Sequence, residues 1–214
     1  NNIGEETNST AVRVQLANLE LTLRSYVARA SAEKTRIEAA NRLWEITQAA
    51  KADSDNQLQF VRTFARLAET EEQLDVVESL LTGETVLEGL EIDTDLRWTL
   101  VTSLAAGGRR TEQDIDAELE KDNTSNGQQA AATAKASIPT AQAKENVWND
   151  VVESNKLSNI IQRSAIAGFF SGNKNELTDA YIDRYFDSVE KVWRDRSHEI
   201  SQQVIVGLYP RNYS

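Results

Sequence analysis

The chain has 214 residues, 40% of them apolar and 27% charged, with two Pro and nine Gly; this is the composition of a folded globular protein and excludes collagen-like, disordered and disulfide-stapled classes. It holds no Cys and one His, so thiolate zinc sites and Cys nucleophiles are excluded, and His-rich zinc catalysis or a Ser-His-Asp triad is short of parts. The formal charge of -11 opposes contact with nucleic acid or an anionic membrane surface, both of which are bound through Lys and Arg.

Apolar residues recur at steps of three and four along most of the sequence, while strict alternation never persists, so the expected class is all-α. The first helix is predicted over about Thr10 to Ala30, with Val12, Leu16, Leu19, Leu23 and Val27 on one stripe. A second, over about Ala32 to Ala50, carries Ile37, Ala40, Trp44 and Gln48, and Leu58, Val61, Phe64, Ala65 and Ala68 mark a third. Thr70 with Gln73 has the spacing of a capping box and opens a short fourth helix that stops at Gly83. Asp93 or Thr94 caps a fifth, holding Leu96, Leu100, Val101 and Leu104; Gly107-Gly108 supplies a positive-φ exit, and Thr111 caps the next.

Ser125 to Ser137 is rich in Ala and Gln and ends before Pro139, so it is predicted to be a helix that approaches its neighbours closely through small side chains. Thr140 starts a helix with Ala143, Val147, Trp148, Val151 and Val152, followed by one with Ile160, Ile161, Ala165, Ile166, Phe169 and Phe170 before Gly172, and this pair is expected to be deeply buried. Tyr181, Ile182, Tyr185, Phe186, Val189, Val192 and Trp193 form a long or broken helix, and Ile200, Val204, Ile205 and Leu208 form the last, stopped by Pro210. About eleven helices in hairpins of about 40 residues match the period of HEAT and armadillo-type pairs. The expected architecture is a HEAT/armadillo-like α-α superhelix, with a compact helical bundle as the alternative, in a single domain over 1–214.

Charge is unevenly placed. Residues 67–122 hold sixteen acidic and four basic side chains, and the flanking parts are balanced. The plain reading is a set of solvated helix faces built from Glu71, Glu72, Asp75, Glu78, Asp114, Asp116, Glu118 and Glu120. Cationic ligands or partner surfaces suit such a segment better than anionic ones.

Candidate sites are few. His198-Glu199 opens like the zinc motif HExxH, but the fifth position is Gln202 and there is no second His, so the motif fails. Asp122-Asn123-Thr124-Ser125-Asn126-Gly127 has the first half of a calcium loop, yet Thr133 stands where a bidentate Glu should close it. Arg109-Arg110 offers guanidinium forks for a carboxylate, against a plain polar turn. The four Trp, at 44, 98, 148 and 193, are read as packing residues. Three acceptor patterns for glycosylation, at Asn8, Asn123 and Asn212, carry little weight where Asn1 to Thr10 has no features of a secretion signal. No run approaches the roughly 18 to 20 apolar residues of a spanning helix, and a cytoplasmic location is expected. With no Met, where about four or five would be usual, the chain is expected to be a fragment of something longer.

Three stretches together carry a resemblance: Gly89-Leu90-Glu91-Ile92-Asp93-Thr94-Asp95-Leu96-Arg97-Trp98; Ile115 through Asp122 and Gly127 to Ile138-Pro139-Thr140 and Lys144; and Glu199 through Ile205 to Gly207-Leu208-Tyr209-Pro210. They resemble the C-terminal helical domain of actinobacterial-type aminopeptidase N, grouped with the endoplasmic-reticulum-aminopeptidase-like C-terminal domains, over nearly the whole chain. The resemblance implies a parent zinc aminopeptidase whose HExxH, later Glu and Gly-x-Met-Glu-Asn motif lie on a preceding thermolysin-like domain, with no zinc or other cofactor in this part. It implies no catalytic or metal residue here, and it names no substrate-binding residue. It also implies a bowl that encloses the active-site chamber, controls peptide access and docks on the upstream catalytic domain. In that setting the acidic segment 67–122 is expected to face the chamber and favour peptides with cationic amino termini. The rival expectation is a free-standing HEAT-like scaffold that binds a partner protein; a helical-bundle enzyme with two metals fails because it needs Glu-x-x-His pairs and only one His is present.

Overall fold

The computed structural model describes residues 3–154, 156–171 and 175–210. Among them there are twelve α-helices, one 3-10 turn, one π turn and no strand, so the all-α expectation holds with one more helix than expected. The chain divides into two compact units, Asn1–Ser103 and Leu104–Ser214.

In the first unit, α1 (Ser9–Ser25), α2 (Arg29–Ala49) and α3 (Asp55–Leu67) pack together, α3 lying against both others. Asn8 caps α1, its side-chain oxygen accepting from the backbone of Thr10 at 3.0 Å and Ala11 at 3.1 Å. α1 ends at Ser25, five residues short of the expected Ala30, and Val27 lies outside it. On α2 the buried line is Ala40, Leu43 and Thr47, and Gln48 faces solvent. Phe60, Val61, Phe64 and Ala65 of α3 are buried together, and Trp44 meets Phe64 with ring centroids 5.1 Å apart. Burial of each such large apolar side chain stabilises by about 1.5–3 kcal/mol.

The capping box at Thr70 and Gln73 opens α4 (Glu71–Thr82), and Gly83 ends it in the left-handed region at φ 81°. Gly89, at φ 73°, brings the next loop onto the backbone of Asp53: a Cβ there would lie 2.3 Å from the Asp53 nitrogen. Asp93 is the cap of α5 (Thr94–Ala106), accepting from the Leu96 backbone at 2.7 Å.

The second unit contains α6 (Glu112–Lys121), α7 (Ser125–Ser137), α8 (Ala141–Trp148), α9 (Asn159–Phe169), α10 (Asn175–Asp179), α11 (Ile182–Asp195) and α12 (His198–Gly207). Thr111 and Asp114 form a second capping box at α6. The expected close approach of α7 occurs against α9. A Cβ on Gly168 would stand 2.2 Å from the Thr133 carbonyl oxygen and 2.8 Å from the Ala136 Cβ, so the helices meet backbone to backbone. α8 runs on into a π turn over Asn149–Glu153, closed by Ser154 N donating to Asn149 O at 2.8 Å, which turns Val151 and Val152 both into the core. Trp148, Phe169, Tyr181, Tyr185, Val192, Val204 and Leu208 complete that core.

Two sequence expectations are corrected here, and a third lies outside the described residues. Ile160 and Phe170 are exposed, because they lie off the Ala165, Ile166 and Phe169 face of α9. Phe186 and Trp193 are exposed as well, on a face of α11 turned away from Tyr185 and Val192. The stop at Gly172 falls outside the described residues.

Candidate functional site

The most distinctive surface of the second unit is built on α11. Tyr185 and Val192, seven residues apart, point into the core; Phe186 and Trp193, also seven apart, follow one residue later and therefore form a parallel line about 100° round the helix. Phe186 is 55% exposed and Trp193 56%, and Tyr209, beyond α12, is exposed beside them through the Tyr185 ring, which meets Phe186 at 5.2 Å and Tyr209 at 6.0 Å. Phe186 and Trp193 thus set two large exposed aromatics two turns apart on one face of α11.

The base of α11 is held by a polar clamp. Arg184 donates to both oxygens of Glu145, at 2.6 and 3.2 Å, and Tyr181 donates to the same carboxylate at 2.9 Å. The guanidinium lies over Trp148 and Tyr181, with centroids at 4.9 and 5.0 Å. Hydrogen bonds from Arg184 and then Tyr181 hold the Glu145 carboxyl below its usual range, and burial together with Glu145 pushes the Tyr181 phenol up to about 12. Arg196 closes the π turn by donating to the carbonyls of Val151, Val152 and Ser154, the last at 2.7 Å. These contacts fix the aromatic line and supply no reactive group.

The sequence candidates are placed as follows. His198 is the exposed first residue of α12, its ring 5.2 Å from that of Trp193. Among the described residues no group of three or more His, Asp or Glu stands in a metal-holding arrangement. Asp122 to Gly127 is a capped turn: Thr124 Oγ1 donates to Asp122 at 2.9 Å and accepts from Gly127 N at 3.0 Å, and a Cβ on Gly127 would stand 1.9 Å from the Asp122 carbonyl oxygen. Arg110 donates to the Arg109 carbonyl at 2.8 Å, folding back on its own turn. Trp98 and Trp148 are buried and Trp44 half-buried, so three of the four Trp pack as expected and Trp193 does not. Asn8 and Asn123 serve the helix starts they precede, and Asn212 lies outside the described residues.

Most carboxylates of segment 67–122 are exposed. Some are paired: Glu69 with Arg36 at 2.8 Å, Asp116 with Lys135 at 2.6 Å and the buried Glu118 with Lys121 at 3.0 Å.

Over residues 1–214 the sequence matches the family described as the ERAP1-like C-terminal domain. The chain belongs to this family. It is similar to "Aminopeptidase N" of Streptomyces lividans, with 43% identity over 208 residues; the match covers 97% of this chain and 24% of the relative. The chain thus spans about a quarter of that relative's length. No described helix is long and apolar enough to cross a membrane.

Missed in the sequence were the outward line of α11 and the clamp beneath it. The sequence shows two interleaved heptad pairs, Tyr185 with Val192 and Phe186 with Trp193, but not which of them turns outward.

Proposed function

We propose that this chain is the non-catalytic helical domain of a zinc-dependent aminopeptidase, the zinc and the peptide-cleaving groups residing on the upstream catalytic domain of the parent chain. The domain docks on the rest of the enzyme through the Phe186 and Trp193 face of α11, encloses the active-site chamber, and controls which peptides enter. The observation that carries this reading is the exposed aromatic line on a firmly clamped helix, in a chain that matches a quarter of an aminopeptidase N. The parent enzyme acts in the cytoplasm on the amino termini of peptides. The exposed carboxylates of segment 67–122 face the chamber and draw in cationic amino termini.

The test is peptide hydrolysis by the zinc-loaded parent protein, with Glu71, Glu72, Asp75 and Glu78 reversed to Lys. A fall in kcat/KM for basic peptides, with neutral ones unchanged, is expected. Equal kcat/KM ratios in both forms would remove the chamber-facing assignment, and no aminopeptidase activity in the unaltered parent would replace the whole reading with a partner-binding scaffold.

A further inference from the structure

Between α9 and α12 lies a surface groove of about 330 Å³, in the size range of small-molecule sites. Its floor is apolar: Ile166 rises from α9, and α12 crosses it so closely that a Cβ on Gly207 would stand 2.5 Å from the Ile166 Cγ2. Val206 forms one wall. Two opposite charges line the same groove, Arg163 from α9 and Glu199 from the first turn of α12, and among the described residues neither belongs to an ion pair. Gln203 lies beside the guanidinium, and its amide oxygen can accept from Gln162 Nε2 or, turned round, from Arg163. With its oxygen toward Arg163, the Gln203 amide accepts from Nη2 at 3.2 Å and donates to the Asn159 carbonyl at 3.2 Å. The only partner so offered to the guanidinium is neutral, and among the described residues no carboxylate pairs with it.

A cation and an anion that share an apolar groove without pairing are complementary to a small zwitterion with an apolar side chain. We propose that this groove binds a free α-amino acid of aliphatic type, its carboxylate on Arg163, its ammonium on Glu199 and its side chain on Ile166 and Val206. Gln202, on the same rim, offers an amide to either polar end. A carboxylate takes the planar fork of Arg in preference to a point charge, and an ammonium is matched by the Glu carboxylate. The inference stands apart from the aminopeptidase reading, since it uses only groups lining this groove.

The experiment is calorimetric titration of the parent protein with L-leucine, isoamylamine, which lacks the carboxylate and has no bond for an aminopeptidase to cleave, and N-acetyl-L-leucine, which lacks the ammonium. Leucine is expected to bind about tenfold or more tightly than either analogue, the order of one charge-assisted contact. Arg163→Gln should make leucine and isoamylamine equal, and Glu199→Gln should make leucine and N-acetyl-leucine equal. Both residues are exposed, so an unchanged melting temperature verifies the fold of each variant. Absence of leucine binding overturns the proposal. So does a variant that keeps the wild-type discrimination, because leucine would then sit elsewhere, a catalytic centre included; that outcome leaves the aminopeptidase reading standing.

Discussion

Lys144 Nζ donates to the Ala136 carbonyl oxygen at 2.6 Å, so a side chain from the first turn of α8 closes the C-terminal turn of α7. Lys144 is 1% exposed and its ammonium lies 5.7 Å from the Phe169 ring centroid. A cation at the negative end of a helix is favourable, and it satisfies a carbonyl that the helix itself leaves open. No carboxylate pairs with it among the described residues, and burial pushes the amine down to about 8.

Stability therefore depends on pH through Lys144. The unfolded amine titrates near about 10.4, so between about pH 8 and that value the unfolded chain binds the extra proton and stability rises with pH. Urea unfolding of wild type and Lys144→Met at pH 7 and pH 9.5 measures this. Wild type should gain on the variant by about 1–2 kcal/mol over that interval. A pH-independent difference would show that the folded amine is not depressed.

The α7–α9 contact predicts a sharp glycine effect. Gly168→Ala places a methyl 2.2 Å from the Thr133 carbonyl oxygen and should cost about 1–3 kcal/mol or more by chemical denaturation. Gly83→Ala meets nothing within 4 Å and carries only the strain of φ 81°, about 1 kcal/mol. Equal losses at the two positions would mean that α7 and α9 do not touch through backbone.

The clamp beneath α11 is tested by Arg184→Lys, which keeps the charge and removes the bidentate fork and the stacking. The expected loss is about 1 kcal/mol, because both partners are partly solvated. Glu145 is held below its unfolded value, so its contribution is present above the unfolded pKa and fades as pH falls through the folded one. The stability gap between wild type and Glu145→Gln should accordingly close below about pH 4. A gap that persists there would assign the effect to shape alone.

Helix starts were the most legible part of the sequence. Thr70, Asp93, Thr111 and Thr140 each bind the backbone N–H three residues on, a local interaction that spacing alone predicts. Helix ends read less well: no Gly or Pro marks Ser25, where α1 stops before the expected Ala30. The small-residue face of α7 was legible from its Ala content, but its partner Gly168 was not, since nothing linear links positions 31 or more residues apart. Lys144 lies on the stripe of Val147 and Trp148, and its burial depends on the carbonyl it meets in the folded chain. Trp193 was misread because its neighbours Val192 and Tyr185 do face the core; which of two interleaved lines turns inward is set by tertiary packing.

Acrylamide quenching separates the Trp residues directly. Trp193 should supply most of the readily quenched emission of this domain, and Trp193→Phe should remove it while Trp148 emission remains shielded. In the docked parent the same Trp193 signal should become shielded.

The central claim is that α11 seats this domain against the rest of an aminopeptidase and so governs peptide access. It is tested most directly by the zinc-loaded parent protein, wild type against Phe186→Ser with Trp193→Ser, cleaving a single aminoacyl-coumarin and a long peptide in parallel. The account predicts that wild type cleaves both and that the double variant, still folded because both side chains are exposed, shifts the ratio of the two kcat/KM values several-fold. An identical ratio in the two proteins would contradict it.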